Sequence, residues 1–407
     1  MRSALLVLAA AAVWVAGCTG EPSALQGQMP PGAVAGRWSI VAIGGPGRVG
    51  LGRKGLAVAS DGAAHIAYRA GDSLYYTVVK DDRWQTERVA AGFVGDFRGI
   101  GADLALDANA QPVVTYGWRG CFHGKGVCTA RKADDGSWQS QTISRKGNLG
   151  LYTAVAVGKV YRVLPREGGV PEEEAASAGV GAFEVEERTH VVYHDYKARD
   201  DLYYAVGTPD GWQITKIDFD PHAGFYCDLA VDDAGRPHVV YATVEGGYDG
   251  IDFATDDYIV DDLKYARYDG EQWRLDTIDT YGNVGTWPSI CVDATGAAHV
   301  SYGGEHRIKY AVHREGTWTI RVVDEGEDVQ TYTSLSLAGD GTPWVAYCRG
   351  RNLWLAHWSG SKWERELVDD SANVGAHCAI AIDPVGTLHI AYTDWQHRDL
   401  KYARRRP

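Results

Sequence analysis

The chain has 407 residues and a formal charge of −13. That balance, with basic runs such as Arg404 to Arg406 only at the terminus, excludes nucleic acid as a partner. Fifty Gly, 23 Tyr and 14 Trp against two Met describe many short strands joined by tight turns rather than a helical core.

Residues 1–18 read as a targeting segment: Arg2, an apolar run from Ala4 to Ala16, then Val15-Ala16-Gly17-Cys18. That ending resembles the bacterial lipobox, which implies that Cys18 is diacylated and becomes the mature N-terminus. An ordinary secretory signal with a chance cysteine is the alternative, and the apolar run is too short to span a bilayer. Thr19 after the cysteine, in place of Asp, favours outer-membrane delivery by analogy with Gram-negative lipoproteins. The expectation is a cell-envelope or extracellular protein that meets the membrane only through its N-terminal lipid. Residues 19–36, with Pro22, Pro30 and Pro31, read as a flexible tether, and residues 37–407 as the folded domain.

From Trp38 onward one phrase recurs, a Trp followed by alternating residues that end in a β-branched one: Trp38, Trp84, Trp138, Trp212, Trp273, Trp318 and Trp363. A second phrase, a small or apolar strand ending in Tyr, recurs at Tyr68, Tyr116, Tyr193, Tyr241, Tyr302, Tyr347 and Tyr392. The two series are offset by one, so the last Tyr has no Trp after it and the first Trp has no Tyr before it. A repeat period of this size marks a solenoid, propeller or array. Each unit reads as four strands. The first ends at an Asp-x-x-Gly turn (Asp232 to Gly235, Asp293 to Gly296, Asp383 to Gly386), the second in the Tyr, the third is typified by Asp262 to Arg267, and the fourth carries the Trp. Four antiparallel strands repeated seven times predict an all-β, seven-bladed β-propeller. Small residues on the first strands (Ala57, Ala105, Ala156, Ala230, Cys291, Ser336, Ala381) suit the narrow end of a wedge beside the axis. Trp38 to Ile43 would then complete the blade begun at Cys378 and close the ring. An open β-solenoid is the alternative, and it leaves the complementary ends unexplained.

These repeats resemble secreted bacterial propellers of the sialidase-like type, in lipoprotein form. The full Asp box, Ser-x-Asp-x-Gly-x-Thr-Trp, is absent, so the resemblance is one of scaffold. Seven-bladed members of that broad group include polysaccharide lyases acting on uronic-acid polymers, and lectins; the function still has to be argued from the site.

Six residues before each turn, at the mouth of the axial channel, the small-residue rule breaks: Arg53, Gly101, Tyr152, Tyr226, Trp287, Tyr332 and His377. Aromatic rings at a concave mouth suit the CH faces of sugars, and packing that plugs the funnel is the competing explanation. The loops from second to third strand differ between blades and supply Arg119, His123, His194, Tyr196, Arg199, Arg307, Arg349, Arg351, Trp395 and His397. Arg119, Arg307, Arg349, Arg351, Trp395 and His397 join the mouth residues as candidate ligand contacts. If the protein is an enzyme, His123, His194, Tyr196 and Arg199 are the candidate catalytic groups, since β-elimination needs a neutralised carboxylate, a base and an acid. Solvated loop charges are the alternative for each of them.

Asp103 and Asp228 intrude among the small inner positions, as metal ligands or as hydrogen-bonded structural carboxylates, the second being favoured. His65, His190, His238, His299 and His389 share one repeat position below the turn and read as scaffold. Residues 159–189 predict an acidic hairpin. Residues 244–262 enlarge the fourth blade's top loop with Asp249, Asp252, Asp256 and Asp257, which could hold calcium, although the spacing fits no EF-hand. Cys121 and Cys128 suit a disulfide across a hairpin; Cys227, Cys291, Cys348 and Cys378 read as buried small hydrophobes. The reading is a monomeric, envelope-anchored propeller that needs no cofactor and binds a carbohydrate or other extended polar ligand at one central top-face site. The alternatives are a polysaccharide lyase cutting a uronic-acid-containing glycan by β-elimination, and a non-catalytic protein-interaction scaffold.

Overall fold

A computed structural model describes residues 25–28, 37–44, 49–91, 102–120, 124–133, 135–145, 149–163, 183–195, 201–220, 222–244, 260–371 and 373–407. Among them the only regular elements are strands, gathered into seven antiparallel sheets. The first blade starts at Val49–Val58, and the next five start at Asp103–Leu106, Leu149–Val163, Ala223–Val231, Val284–Val292 and Val329–Leu337. In the seventh, Val374–Ile382, Leu388–Asp394 and Asp399–Arg405 are joined on the outside by Ser39–Ala42. Ile40 lies opposite Ala403 there, and the Ile43 N–H donates to the Leu400 carbonyl at 2.8 Å. The ring is therefore closed by its own N-terminal strand, as the offset of the two phrases requires. Val41, Ile43, Leu400 and Tyr402 pack with Leu51, Ile66 and Tyr68 of the first blade in one buried cluster across the closing seam.

The recurring Trp and Tyr residues hold blade to blade. Trp138, Trp273, Trp318 and Trp363 each stand edge-on to a Tyr of the preceding blade, Tyr76, Tyr204, Tyr265 and Tyr310, with centroids 5.1–5.3 Å apart. This is the favoured geometry for opposed ring quadrupoles. The same four tyrosines are hydrogen-bonded to Nδ1 of His65, His190, His238 and His299 at 2.5–2.6 Å. Burial holds His65, His190, His238 and His389 near pKa 4 and therefore neutral, which fits the scaffold role read from their repetition.

A second clamp sits at the top of the seams. Asp218, Asp279, Asp324 and Asp369, at the last or next-to-last position of the outer strands of blades three to six, accept from the hydroxyls of Tyr241, Tyr302, Tyr347 and Tyr392 in the next blade at 2.6–2.8 Å. A cation of that next blade completes each: Lys264, Lys309, Arg349 and Lys401. At the closing seam the corresponding residue is Gly44, and Tyr68 is buried without such a carboxylate.

Two details depart from the sequence reading. Residues Leu25–Gln28, inside the expected tether, lie as a strand along the outer strand of the first blade, Leu25 opposite Thr86 and Gln28 opposite Arg83; an open edge offers unpaired N–H and C=O groups to any nearby chain. In the second blade Cys128 faces Tyr116, while the hairpin's last pair is Gly120 with Gly124. Four residues at about 3.3 Å each separate Cys128 from that end, and a disulfide needs Cα atoms within about 7 Å. Cys128 is a free, buried thiol, 3.8 Å from the Thr142 hydroxyl, and not the bridge partner expected for Cys121. Cys121 itself lies outside the described residues. Cys227, Cys348 and Cys378 are buried and Cys291 partly so, all free, in line with packing as small hydrophobes.

Candidate functional site

The mouth is built by a bulge repeated in the innermost strands. In the fourth blade Ala223 faces Thr243 and Asp228 faces Val240, so five steps on one strand match three on its partner. The fifth blade repeats this, with Val284 on Gly304 and Ser289 on Ser301. In the seventh, Val374 faces Asp394 and Cys378 faces Tyr392. The two surplus residues break the strand's alternation and re-aim a side chain, as bulges do. Tyr226, Trp287 and His377 occupy that point with φ of 52°, 48° and 52°. Left-handed backbone at bulky residues costs of order 1–3 kcal/mol and concentrates at functional sites. Gly224, Gly285 and Gly375, two residues earlier, also have positive φ and enter the bulge without that cost.

The re-aimed rings meet one another in an arc. Centroid separations are 4.7 Å for Tyr152 and Tyr226, 4.8 Å for Tyr226 and Trp287, 4.7 Å for Trp287 and Tyr332, and 4.4 Å for Tyr332 and His377. Trp395 follows at 5.9 Å from His377. Tyr152 and Tyr226 are buried beneath their neighbours, whereas Trp287, Tyr332, His377 and Trp395 keep part of their surface open. Within one arc two rings are thus buried and four are partly open.

Arg53 closes the arc from the first blade. Its guanidinium lies 5.6 Å from the Trp287 ring centroid and donates through Nη2 to the Cys227 carbonyl at 2.6 Å, and its Nε is buried without a hydrogen-bond partner. Burial, then the Arg53 charge, depresses His377 to about pKa 4, so its imidazole is neutral at pH 7. Beneath lie the two intruding carboxylates. Asp228 accepts from the Leu229 and Ile290 N–H groups, each at 2.8 Å, and Lys54 Nζ lies 3.5 Å away. Asp103 accepts from the Lys54 N–H at 3.3 Å, and burial raises its pKa to about 7 against the pull of Arg53. Both are buried, hydrogen-bonded carboxylates, and no cluster of three or more metal-ligating groups occurs among the described residues.

The loop candidates fare differently. His194 is on the second strand of blade three, fully buried with its ring 4.4 Å from Phe225, and burial lowers its pKa to about 3; it does not reach the open face expected of it as a candidate catalytic group. Arg349 is spent on scaffold: it donates to both oxygens of the buried Asp324 at 2.8 and 2.9 Å and to Asp328 at 3.2 Å. Arg307 is paired with Glu325 and Glu305, and His397 with Asp394 at 2.8 Å. Arg351 is exposed, away from the ring contacts of the arc. His123, Tyr196, Arg199, Asp249, Asp252, Asp256, Asp257, Cys18 and the Arg119 side chain lie outside the described residues.

No family model matches the sequence, and neither does any curated protein. Solved structures do match in fold. A PL25 ulvan lyase bound to -[GlcA(1-4)Rha3S]- aligns over 89% of this chain and 94% of its own, with TM-score 0.58 and 12% identity. The polysaccharide lyase Uly1 aligns over 87% and 90%, with TM-score 0.52 and 8% identity. AofleA from Arthrobotrys oligospora aligns over 82% and 90%, with TM-score 0.50 and 14% identity. The expected likeness to carbohydrate-active propellers therefore holds for the scaffold.

Proposed function

We propose that the protein binds a carbohydrate through the axial mouth, as an envelope-anchored propeller held by a lipid on Cys18. One observation carries this: four partly open rings, Trp287, Tyr332, His377 and Trp395, stand side by side, and the backbone at two of them, Trp287 and His377, is held at φ of 48° and 52°. Wedge packing alone would not need φ near +50° at a Trp and a His that stay partly open. Sugar rings present CH faces to such a surface, and Arg53 adds charge to it.

A second reading, β-elimination on a uronic-acid glycan, draws on two observations. A neutral imidazole at His377 lies beside Tyr332 and Arg53, the combination of base, acid and charge neutraliser such a step needs. Two of the fold neighbours are lyases by name. Incubating the purified protein with a panel of acidic and neutral polysaccharides tests both: retardation without new ultraviolet absorbance supports binding alone, and an unsaturated product supports cleavage. A panel that gives neither removes the proposal.

A further inference from the structure

The floor at the axis is not the whole of the aromatic surface on this face. In a propeller each outer strand is connected to the innermost strand of the next blade by a segment that crosses the top face from rim to axis. Two such segments flank the fourth blade, from Asp218 to Ala223 and from Asp279 to Val284. Each leads inward to a ring of the arc, Tyr226 in the first case and Trp287 in the second. Each also begins, at its outer end, with a large ring left in solvent: Phe219 is 76% exposed and Tyr281 is 74% exposed. Apart from Val385, whose turn is on the opposite face, no other large apolar side chain among the described residues exceeds 53%.

Their positions are fixed from below. Asp218 and Asp279, the residues immediately or two places before them, are the buried carboxylates of the inter-blade clamps, and the Asp279 carboxylate also accepts from the Tyr281 N–H at 3.1 Å. Phe219 is further held by Lys216, whose ammonium lies 4.8 Å from the ring centroid. The corresponding segments into blades six and seven carry Glu325, Glu327 and Asp328, and Asp370, with no aromatic residue. From the fourth to the seventh blade the crossing segments thus change from aromatic to acidic.

We propose that Phe219 and Tyr281 are outer stacking subsites for a glycan chain whose inner end occupies the mouth, so that an extended polysaccharide leaves the axis over the fourth blade. This rests on the mouth being a carbohydrate site. Three strand spacings of about 4.8 Å put the outer rings roughly 14 Å from the inner ones, so a ligand must be several sugars long to touch both. Exposed rings contribute little to folding but offer area at low entropic cost to a ligand that covers them.

The experiment uses the full mature chain and affinity gels containing alginate, pectate, hyaluronan, chondroitin sulfate or ulvan; the glycan that retards the protein most is then cut into a disaccharide-to-trisaccharide pool and a long-oligomer pool. Phe219→Ala and Tyr281→Ala should each weaken binding of the long pool by about 3- to 10-fold, leave the short pool unchanged and leave the melting temperature unchanged. Trp287→Ala should weaken both pools. Equal affinity of wild type and both outer variants for the long pool overturns the outer subsites while leaving the mouth intact if Trp287→Ala still loses binding. Retardation by none of the glycans, or full binding by Trp287→Ala, overturns the mouth reading and the outer subsites with it.

Discussion

Replacing Asp279 by Ala probes the clamp that joins the fourth blade to the fifth. The Asp279 carboxylate accepts from the Tyr302 hydroxyl and from Lys309 Nζ, both at 2.8 Å, and Tyr302 and Lys309 are 0% and 7% exposed. Burial alone would raise the Asp279 pKa, yet the hydrogen bonds from Lys309, the Tyr281 N–H and Tyr302 outweigh it and hold the pKa below the ordinary 3.8. Removing the carboxylate strands a buried ammonium, which costs about 3–5 kcal/mol, and leaves the Tyr302 hydroxyl without its acceptor, about 1–3 kcal/mol when alone. The two losses share one partner and do not add, so the expected total is about 3–5 kcal/mol. Tyr302→Phe should cost only about 1 kcal/mol, and Tyr68→Phe at the closing seam, where no such carboxylate exists, should be nearly neutral. Urea unfolding followed by tryptophan fluorescence reads these differences, provided the slope with denaturant is unchanged. A loss below about 1 kcal/mol for Asp279→Ala would refute the clamp as a stabilising element.

Other outcomes follow from the same structure. Deleting residues 19–44 should destabilise or aggregate the protein far more than deleting 19–34; both remove the Leu25–Gln28 strand, so equal melting would show that the Ser39–Ala42 strand does not close the ring. The folded pKa of His65, His190, His238 and His389, near 4, lies below the ordinary 6.5. The unfolded chain therefore binds those protons first, and their contribution is complete above pH 6.5 and lost as pH falls toward 4. Unfolding free energy that is flat across that window would contradict the neutral state of these buried histidines. Cys128 should be alkylated after unfolding without reductant, and finding it in a disulfide would contradict the register that sets it opposite Tyr116.

Much of the scaffold was legible because its signals are local. A Trp phrase and a Tyr phrase, each set by strand alternation, count the blades, and their offset names the closing strand. The mouth positions were legible as exceptions to a small-residue rule. Their geometry was not, because a bulge is a mismatch between two strands and neither strand shows it alone. The nearest signal was the Gly two residues ahead of Tyr226, Trp287 and His377. Arg349 was read as a ligand contact because a loop Arg looks alike whether free or bound, and its partner Asp324 belongs to the preceding blade. His194 was placed on an open loop because the strand runs on to Asp195, past the Tyr that marks its end in the repeat. The Asp six residues after Trp212, Trp273, Trp318 and Trp363 recurs visibly in the sequence, and its recurrence was the overlooked sign of the clamps.

The central claim is that the open rings of the arc hold a sugar, and calorimetric titration of wild type and Trp287→Ala with the glycan selected on gels tests it most directly. Trp287 touches Tyr226, Tyr332, His377 and Arg53, so its removal takes away the centre of the floor. The account predicts a loss of affinity of at least about tenfold, roughly 1.4 kcal/mol, with the folded state retained. Unchanged affinity in a folded Trp287→Ala protein would contradict it.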